Sequence, residues 1–505
     1  MSRSAPAGLL AVAAGAAAAE LIAALLGRPQ AGTVVAVGGV LVDAAPTPVK
    51  EFAVATLGTA DKPVLLTGIT VVLAVLAAVL GVVGRRSRPA GLAGAAVLGL
   101  VGVAAAVTRP AAQLVDAVPS LVGAVVIGGA LLVLLRPLGA PVRVPVGAPP
   151  EEPPDDGVDR RAFLAAAALV AAGTALAGGG AALLGRVTAQ SQVRETVRLP
   201  AAAEAAPPLP DGLAPGFVTP NADFYRVDTA LAVPRVDLDS WRLGITGMVD
   251  SPVELSYADL LRRPLVERVI TLNCVSNEVG GPYIGTSRWL GVPLAPLLRE
   301  AGVRPGADQL LARSVEGMTI GTPVATLFDG REPLLCVGMN GEPLPFEHGF
   351  PVRMLTPGLY GYVGACKWVS TLELTTFDAV DAYWVQRGWA PQAPVKTASR
   401  IDVPAPFAQV DAGPVTVAGV AWAQGRGIRA VEVQVDDDPW QQATLLPVPS
   451  IETWVQWRHV FTAPPGSHDL RVRATDGTGA VQPEARVDPF PDGATGWHTI
   501  NVTVT

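Results

Sequence analysis

Apolar positions along the chain fall into two regimes. Up to about residue 185 they run in long stretches, and beyond about residue 240 they come in short segments, many of them alternating with polar positions. Four stretches, roughly 7–27, 63–84, 89–108 and 117–135, are long enough to cross a bilayer core as helices. A fifth, roughly 162–184, follows the polar linker GAPPEEPPDDGVD. Between the first two, GTVVAVGGVLVDAAPTPVKEFAVATLG is interrupted by Pro46 and Pro48, and its short apolar pieces predict a re-entrant or interfacial segment. Residues 187–220, rich in Pro and Ala, read as a tether. A mixed α/β stretch follows: WRLGITG, ERVITLN and WVSTLEL predict strands, and LAPLLREAG predicts a helix ending at Gly302. From about residue 400, PVTVAGVAWA, AVEVQVD, WVQWRHVFTA, HDLRVRAT and WHTINVTVT alternate at period two, which predicts a β-sandwich. The expected divisions are 1–140 (four spans), 141–186 (linker and fifth span), 187–220 (tether), 221–398 (α/β domain) and 399–505 (sandwich).

Composition agrees with a membrane part: half of the 505 residues are hydrophobic, 16% are charged, and mean hydropathy is +0.40. Charge is uneven. Ten Lys/Arg and five Asp/Glu lie within the first 150 residues, so of the totals 37 and 44 the remainder carries 27 against 39, a net −12. That excludes a nucleic-acid-binding surface there. Arg85, Arg86 and Arg88 follow the second span, and Arg136, Arg143, Arg160 and Arg161 lie between the fourth and fifth. The positive-inside rule puts both loops in the cytoplasm and everything after about residue 186 outside. The expected location is the cytoplasmic membrane of a bacterium, multi-pass, with an extracytoplasmic catalytic domain. DRRAFL, at the start of the fifth span, resembles a twin-arginine export signal. All four histidines (His348, His459, His468, His498) lie beyond the spans, so the membrane region has no bis-His site and no haem is expected in this chain. Glu20 is the one acid inside the first span, read as protonated or reaching the interface. This region is expected to anchor or dock, not to carry electrons or to transport.

Three cysteines without CxxC spacing exclude a disulfide scaffold. The first, Cys274, lies in TLNCVSNEVGG, between an apolar strand and a glycine loop. MNGEPLPFEHGFPVRML holds His348 and Arg353; GLYGYVGACKWV holds Gly364 and Lys367; NADFYRV holds Asn221, Tyr225 and Arg226. Cations beside glycine-rich loops suggest a bound anionic cofactor.

In this order these motifs, with YWVQRGWAPQAPVKTASRID leading into the sandwich, resemble the sulfite oxidase family of molybdopterin enzymes over roughly 220–505. The resemblance implies a sulfite-oxidase-like α/β (α+β) molybdopterin domain and a C-terminal immunoglobulin-like β-sandwich, behind the transmembrane α-helical region. It implies a molybdenum–molybdopterin cofactor with Cys274 as metal ligand, a soft thiolate suited to a metal bound by two dithiolene sulfurs. His348, Arg353 and Lys367 would hold the pterin and its phosphate, with Asn221, Tyr225 and the Gly364 amides. Arg226 would both help to bind the cofactor and face the substrate, and Arg426 (or Arg429) would also face the substrate. Cys336 and Cys366 are expected as buried thiols. The sandwich would supply a homodimer contact, and a separate cytochrome or quinone-linked partner would exchange electrons.

Two departures bear on the substrate. Where sulfite oxidases carry arginine shortly after the cysteine, CVSNEVGG has Glu278, which opposes a dianion such as sulfite. EGMTIGTPVA has no tyrosine where relatives place one; Tyr283 is a candidate substitute. Sulfite oxidation and sulfoxide reduction both remain open, beside a non-catalytic binding or assembly module that keeps the fold.

Overall fold

The computed structural model describes residues 4–46, 49, 56, 61–109, 112–138, 160–187 and 194–505. The polar linker with Arg143, and the part of DRRAFL before Arg160, lie outside these. The chain divides into two compact units: Met1–Val193 with Thr229–Arg235, and Arg194–Asp228 with Val236–Thr505.

In the first unit five helices are long and apolar enough, by length and composition, to cross a membrane: Ser4–Leu25, Lys62–Arg86, Arg88–Val107, Leu114–Leu135 and Arg161–Leu183. Glycines set their crossings. A Cβ on Gly8 would stand 2.0 Å from the Ala77 carbonyl oxygen, and one on Gly15 would stand 2.3 Å from Ile127. Backbones approach there as small residues allow. The interrupted segment contains a 12-residue helix, Thr33–Ala44, with Gly32 at its N-cap. Glu20 lies against Gly32 and accepts a hydrogen bond from the Val34 amide, so this acid of the first apolar helix caps the short one. Pro48 and most of the following residues to 60 lie outside the described residues.

In the second unit, residues 242–375 build two sheets. One is mixed, in the order Val253–Ser256, Arg242–Gly247, Val369–Thr375, Gln309–Ser314, Thr319–Pro323. The other runs Val266–Asn273, Ile284–Pro293, Leu334–Met339, Glu342–Pro343, with Arg353–Leu355 also paired to Leu334–Met339. Helix Leu294–Ala301 buries Leu294, Leu297, Leu298 and Ala301, the i, i+3, i+4, i+7 face, and ends at Gly302 with φ +72°. These side chains join Leu243, Ile245, Leu310, Leu335 and Leu372 in the main core.

Beyond residue 397 two sheets face each other, of four and five strands. Gly466–Asp476 alternates buried and partly exposed positions along most of its length, which is the period-two pattern of its sequence. Val417, Val431, Trp457, Leu470 and Val502 fill the space between the sheets.

The stretch read as a tether behaves otherwise from Arg194 onward. Arg194 donates to the Pro343 and Leu344 carbonyls at 2.6 and 2.9 Å, Ala203 N to Leu265 O at 2.7 Å, and Thr219 N to Thr286 O at 2.8 Å. Phe217 is buried. Backbone bonds and a few apolar anchors hold this Pro-rich chain along the domain.

Candidate functional site

Cys274 opens the hairpin loop between Val266–Asn273 and Ile284–Pro293. Its amide extends the ladder by one step, donating to Tyr283 O at 2.9 Å, and its carbonyl accepts from Asn277 N at 3.1 Å. Asn277 Oδ1 accepts from Tyr283 N at 2.8 Å and closes the loop as a short polar residue in a turn does. The glycines that follow are steric necessities: a Cβ on Gly280 (φ +80°) would lie 2.3 Å from His498 Nε2, and one on Gly281 would lie 2.6 Å from Asn277 Oδ1. The thiol is buried. Burial pushes its pKa up, while hydrogen bonds at Ser276 and the charge of Lys367 oppose the rise.

Around it stands a set of groups with unfilled bonding capacity. Arg353 is 4% exposed, lies 5.3 Å over the Trp289 ring, and has a weak Nη1 contact to His348 O at 3.4 Å. Its Nε has no partner, and burial pushes its pKa down. His348 donates from Nε2 to Asn221 O at 3.0 Å, which leaves Nδ1 as an acceptor, buried and unpartnered. Burial and the Arg353 charge lower its pKa to about 4, so the ring is neutral at physiological pH. Asn273 Oδ1, one residue before the cysteine, is also buried without a partner. Tyr225 feels the charges of both Cys274 and Arg353 and packs 6.3 Å from Tyr283, centroid to centroid. Lys367 sits 2.8 Å from Asp228, and burial lowers its pKa to about 8.

Other expected residues are placed differently. Arg226 pairs with Asp228 at 2.9 Å and joins the Lys367 cluster. Asn221 is a structural knot, its amide bonded to Glu342 and Met339 and its Oδ1 to Asn340. The Gly364 amide is already engaged with Tyr360 O at 2.9 Å, and a Cβ there would meet Leu359 and Thr356, so this glycine serves close packing and offers no free amide. Arg426 is held by Asp476 at 2.9 Å, Val395 O at 2.9 Å and Thr397 at 3.1 Å; Arg429 is exposed. Glu278 lies 3.8 Å from Arg486. Cys336 and Cys366 are free, buried thiols near Arg353, with pKa values pushed up by burial to about 12. Asp228, Asn273 and Asn277 were not singled out from sequence. Asn277, four residues before Gly281 in a loop after a strand, carried a turn signature that would have found it.

Among the described residues no group of three or more His, Cys, Asp or Glu could hold a metal. A metal at Cys274 would thus take its other ligands from a cofactor. The donor set fits an anionic cofactor carrying its own sulfur ligands: one thiol, a buried guanidinium with no carboxylate paired to it, a ring nitrogen with a free lone pair, and a lysine nearby.

Residues 230–384 match the family described as oxidoreductase molybdopterin binding domain, which sets the class of the protein. Beyond this domain the chain is similar to sulfite oxidases, as a molybdopterin-dependent oxidoreductase of that type. It is 30% identical to the mitochondrial sulfite oxidase of Mus musculus, over 59% of this chain and 64% of that protein. It is 29% identical to the sulfite oxidase of Gallus gallus, over 55% and 71%. Among solved structures, the sulfane dehydrogenase SoxCD from Paracoccus pantotrophus shares the fold at a TM-score of 0.50 and 23% identity, over 57% of this chain and 81% of that one. The chain thus spans 64% of the length of the mouse protein it matches.

Proposed function

We propose that this chain is a membrane-anchored molybdenum-cofactor oxidoreductase that acts outside the cytoplasmic membrane, by two-electron oxygen-atom transfer on a small sulfur-containing substrate. The observation that carries the reading is Arg353, a buried cation in no salt bridge among the described residues, beside Tyr225, which also feels the Cys274 thiol, and beside His348 with its unpartnered ring nitrogen. Burying a charge unpaired is costly, and an anionic cofactor offsets that cost.

When bound, the cofactor's molybdenum supplies the redox and oxygen-transfer chemistry. Cys274 loses its proton to become a thiolate ligand. Arg353 and Lys367 neutralise the cofactor's negative charge, and neutral His348 offers Nδ1 to one of its donors. Phe224, packed edge-on against His348 and Trp289, keeps water from this wall. Tyr225 and Tyr283 border the thiol and are placed to bind or orient substrate.

Both directions balance: sulfite and water give sulfate, two protons and two electrons, and a sulfoxide takes up two of each to give a thioether and water. The relatives named for sulfite favour the first. Glu278, and arginines already engaged with Asp476 and Asp402, favour a less charged substrate. The sandwich is read as immunoglobulin-like and as the homodimer contact, and a cytochrome or quinone-linked partner completes the electron path. Five apolar helices and the basic loops support the anchoring and its orientation.

The test is molybdenum and pterin content of the purified full-length protein beside Cys274→Ala, with turnover measured on sulfite and on a methyl sulfoxide. About one molybdenum per chain is expected, with turnover lost in the variant. A protein without metal and pterin, made in cells with an intact cofactor pathway, would leave only the binding-module reading.

A further inference from the structure

We propose that the helical unit binds a membrane-soluble quinone in a cleft between its helices. This rests on the membrane reading above and is independent of the molybdenum substrate.

The cleft follows from helix packing. Helices Ser4–Leu25 and Asp61–Arg86 touch closely at Gly8 and Gly81, and Ser4–Leu25 meets Ala117–Leu135 at Gly15 and Gly123. The Asp61 end of its helix lies away from the Gly81 contact, and Thr33–Ala44, with only 12 residues, does not fill the space there. A cavity of about 410 Å³ is left, its lining including Val12, Thr33, Gly68, Ile69, Ser120 and Ile127. That volume lies within the usual range for small-molecule sites, roughly 300–1,000 Å³.

Its lining is apolar except for one hydroxyl pair. Thr33 Oγ1 and Ser120 Oγ are 3.1 Å apart, so one hydroxyl donates to the other and the second O–H is available to a ligand. The cations on neighbouring segments are engaged: Arg28 with Asp116 and Gln113, Arg109 with Gln30 O at 2.9 Å, and Lys62 with Ala230 O at 2.9 Å. Among the described residues a phosphate head group therefore finds no open cation at the cleft, whereas a neutral carbonyl finds a hydroxyl donor. On the helix that carries Gly68, Val72 lines the cleft and Val64, Val71 and Val75 are exposed beside it, which gives an isoprenoid tail an apolar track into the bilayer. A neutral head with hydrogen-bonding carbonyls on a long apolar tail is the chemistry of a quinone. It also matches the need of an exported two-electron enzyme whose spans contain no histidine to hold a haem.

Gly68 makes the test clean. Gly68 lines the cleft and a Cβ there meets nothing within 4 Å, so Gly68→Leu adds a side chain at the cleft from a position with room for its first carbon. The full-length protein in phospholipid nanodiscs is titrated with a radiolabelled ubiquinone bearing two isoprene units, beside Gly68→Leu and the pair Thr33→Val with Ser120→Ala. Lipid is in large excess, so saturable binding measures preference over acyl chains. Saturation near one quinone per chain is expected. Gly68→Leu should weaken binding by ~tenfold or more, with melting temperature and molybdenum content unchanged, and the hydroxyl pair by several-fold. Non-saturable uptake, or wild-type binding by Gly68→Leu, overturns the proposal. A chain released from membranes by alkaline carbonate overturns the membrane reading instead, and this proposal with it.

Discussion

At Arg353 the fold buries a positive charge against Trp289 and His348 with no carboxylate in salt-bridge contact among the described residues, only the more distant charge of Asp228. For the cofactor-free chain this is a defect, and groups of this kind trade stability for function. Arg353→Met, of similar length and apolar, should raise the melting temperature of cofactor-free protein by several degrees, on the order of 1 kcal/mol or more. The same variant should lose most of its pterin. A lower melting temperature in that state would show that Arg353 is structural. Lys367 adds a pH dependence. Its pKa falls from the ordinary lysine value of 10.5 to about 8 on burial. Between those values the unfolded chain holds the extra proton, so this lysine makes cofactor-free stability rise with pH over that window. Affinity for an anionic cofactor has the opposite sign, because the charge that attracts it is lost above about pH 8. Reconstitution of cofactor-free protein should therefore weaken from pH 7.5 to 9.5, and Lys367→Arg, which stays charged, should flatten the profile. His348, lowered to about 4, should contribute a loss of stability as pH falls from about 6.5 toward 4 and none above.

At the scale of elements, the hairpin that carries Cys274 is held from outside by the sandwich. Arg400 donates to Gly281 O at 2.8 Å, His498 packs on Gly280 while its Nδ1 accepts from Ile401 N at 3.0 Å, and Trp454 N donates to Thr271 Oγ1 at 2.8 Å. His498→Ala or Arg400→Gln should leave overall melting nearly unchanged. Hydrogen exchange over 275–283 should rise, and alkylation of Cys274 in cofactor-free protein should quicken, by ~tenfold for each about 1.4 kcal/mol of lost closure. Unchanged exchange in both variants would show that the loop is held by its own Asn277 turn. What the sequence made legible here is what depends on neighbours along the chain. The strand before Cys274, the Leu294–Ala301 helix with its Gly302 stop and the alternating sandwich strands follow from local periodicity and turn residues. Pairings across long separations left no such pattern. Asp228 meets Lys367 from 139 positions away, and Arg426 meets Asp476 from 50. Gly364 shows the same limit: its composition suggested a phosphate cradle, while its packing against Thr356 depended on a neighbour no motif named. Residues 194–220 misled for a related reason, since Pro and Ala describe both a loose linker and a chain laid along a domain surface by backbone bonds.

For the whole molecule, the arrangement depends on which side of a membrane each loop lies. Arg85, Arg86 and Arg88 gather at one turn, and in the proposed topology the positive-inside rule assigns that turn to the cytoplasm. Under the proposed anchoring each further span reverses the side, so five spans would put Arg194–Thr505 outside. The native thiols are buried, with Cys336 and Cys366 at 0% and Cys274 at 8% exposure, so an impermeant maleimide has little background to report. Three single substitutions sample the arrangement: Ser87→Cys in the basic turn, Leu114→Cys at a position 90% exposed, and Phe407→Cys at one 80% exposed. In intact cells Leu114→Cys and Phe407→Cys should label within minutes, while Ser87→Cys should label only after permeabilisation. Labelling of Ser87→Cys alone would invert the topology and put the molybdenum domain in the cytoplasm. Labelling of Leu114→Cys without Phe407→Cys would leave the first four helices as drawn and remove the fifth as a span. The fifth helix has the lowest hydropathy of the five, 1.8, which makes Phe407→Cys the most informative of the three sites.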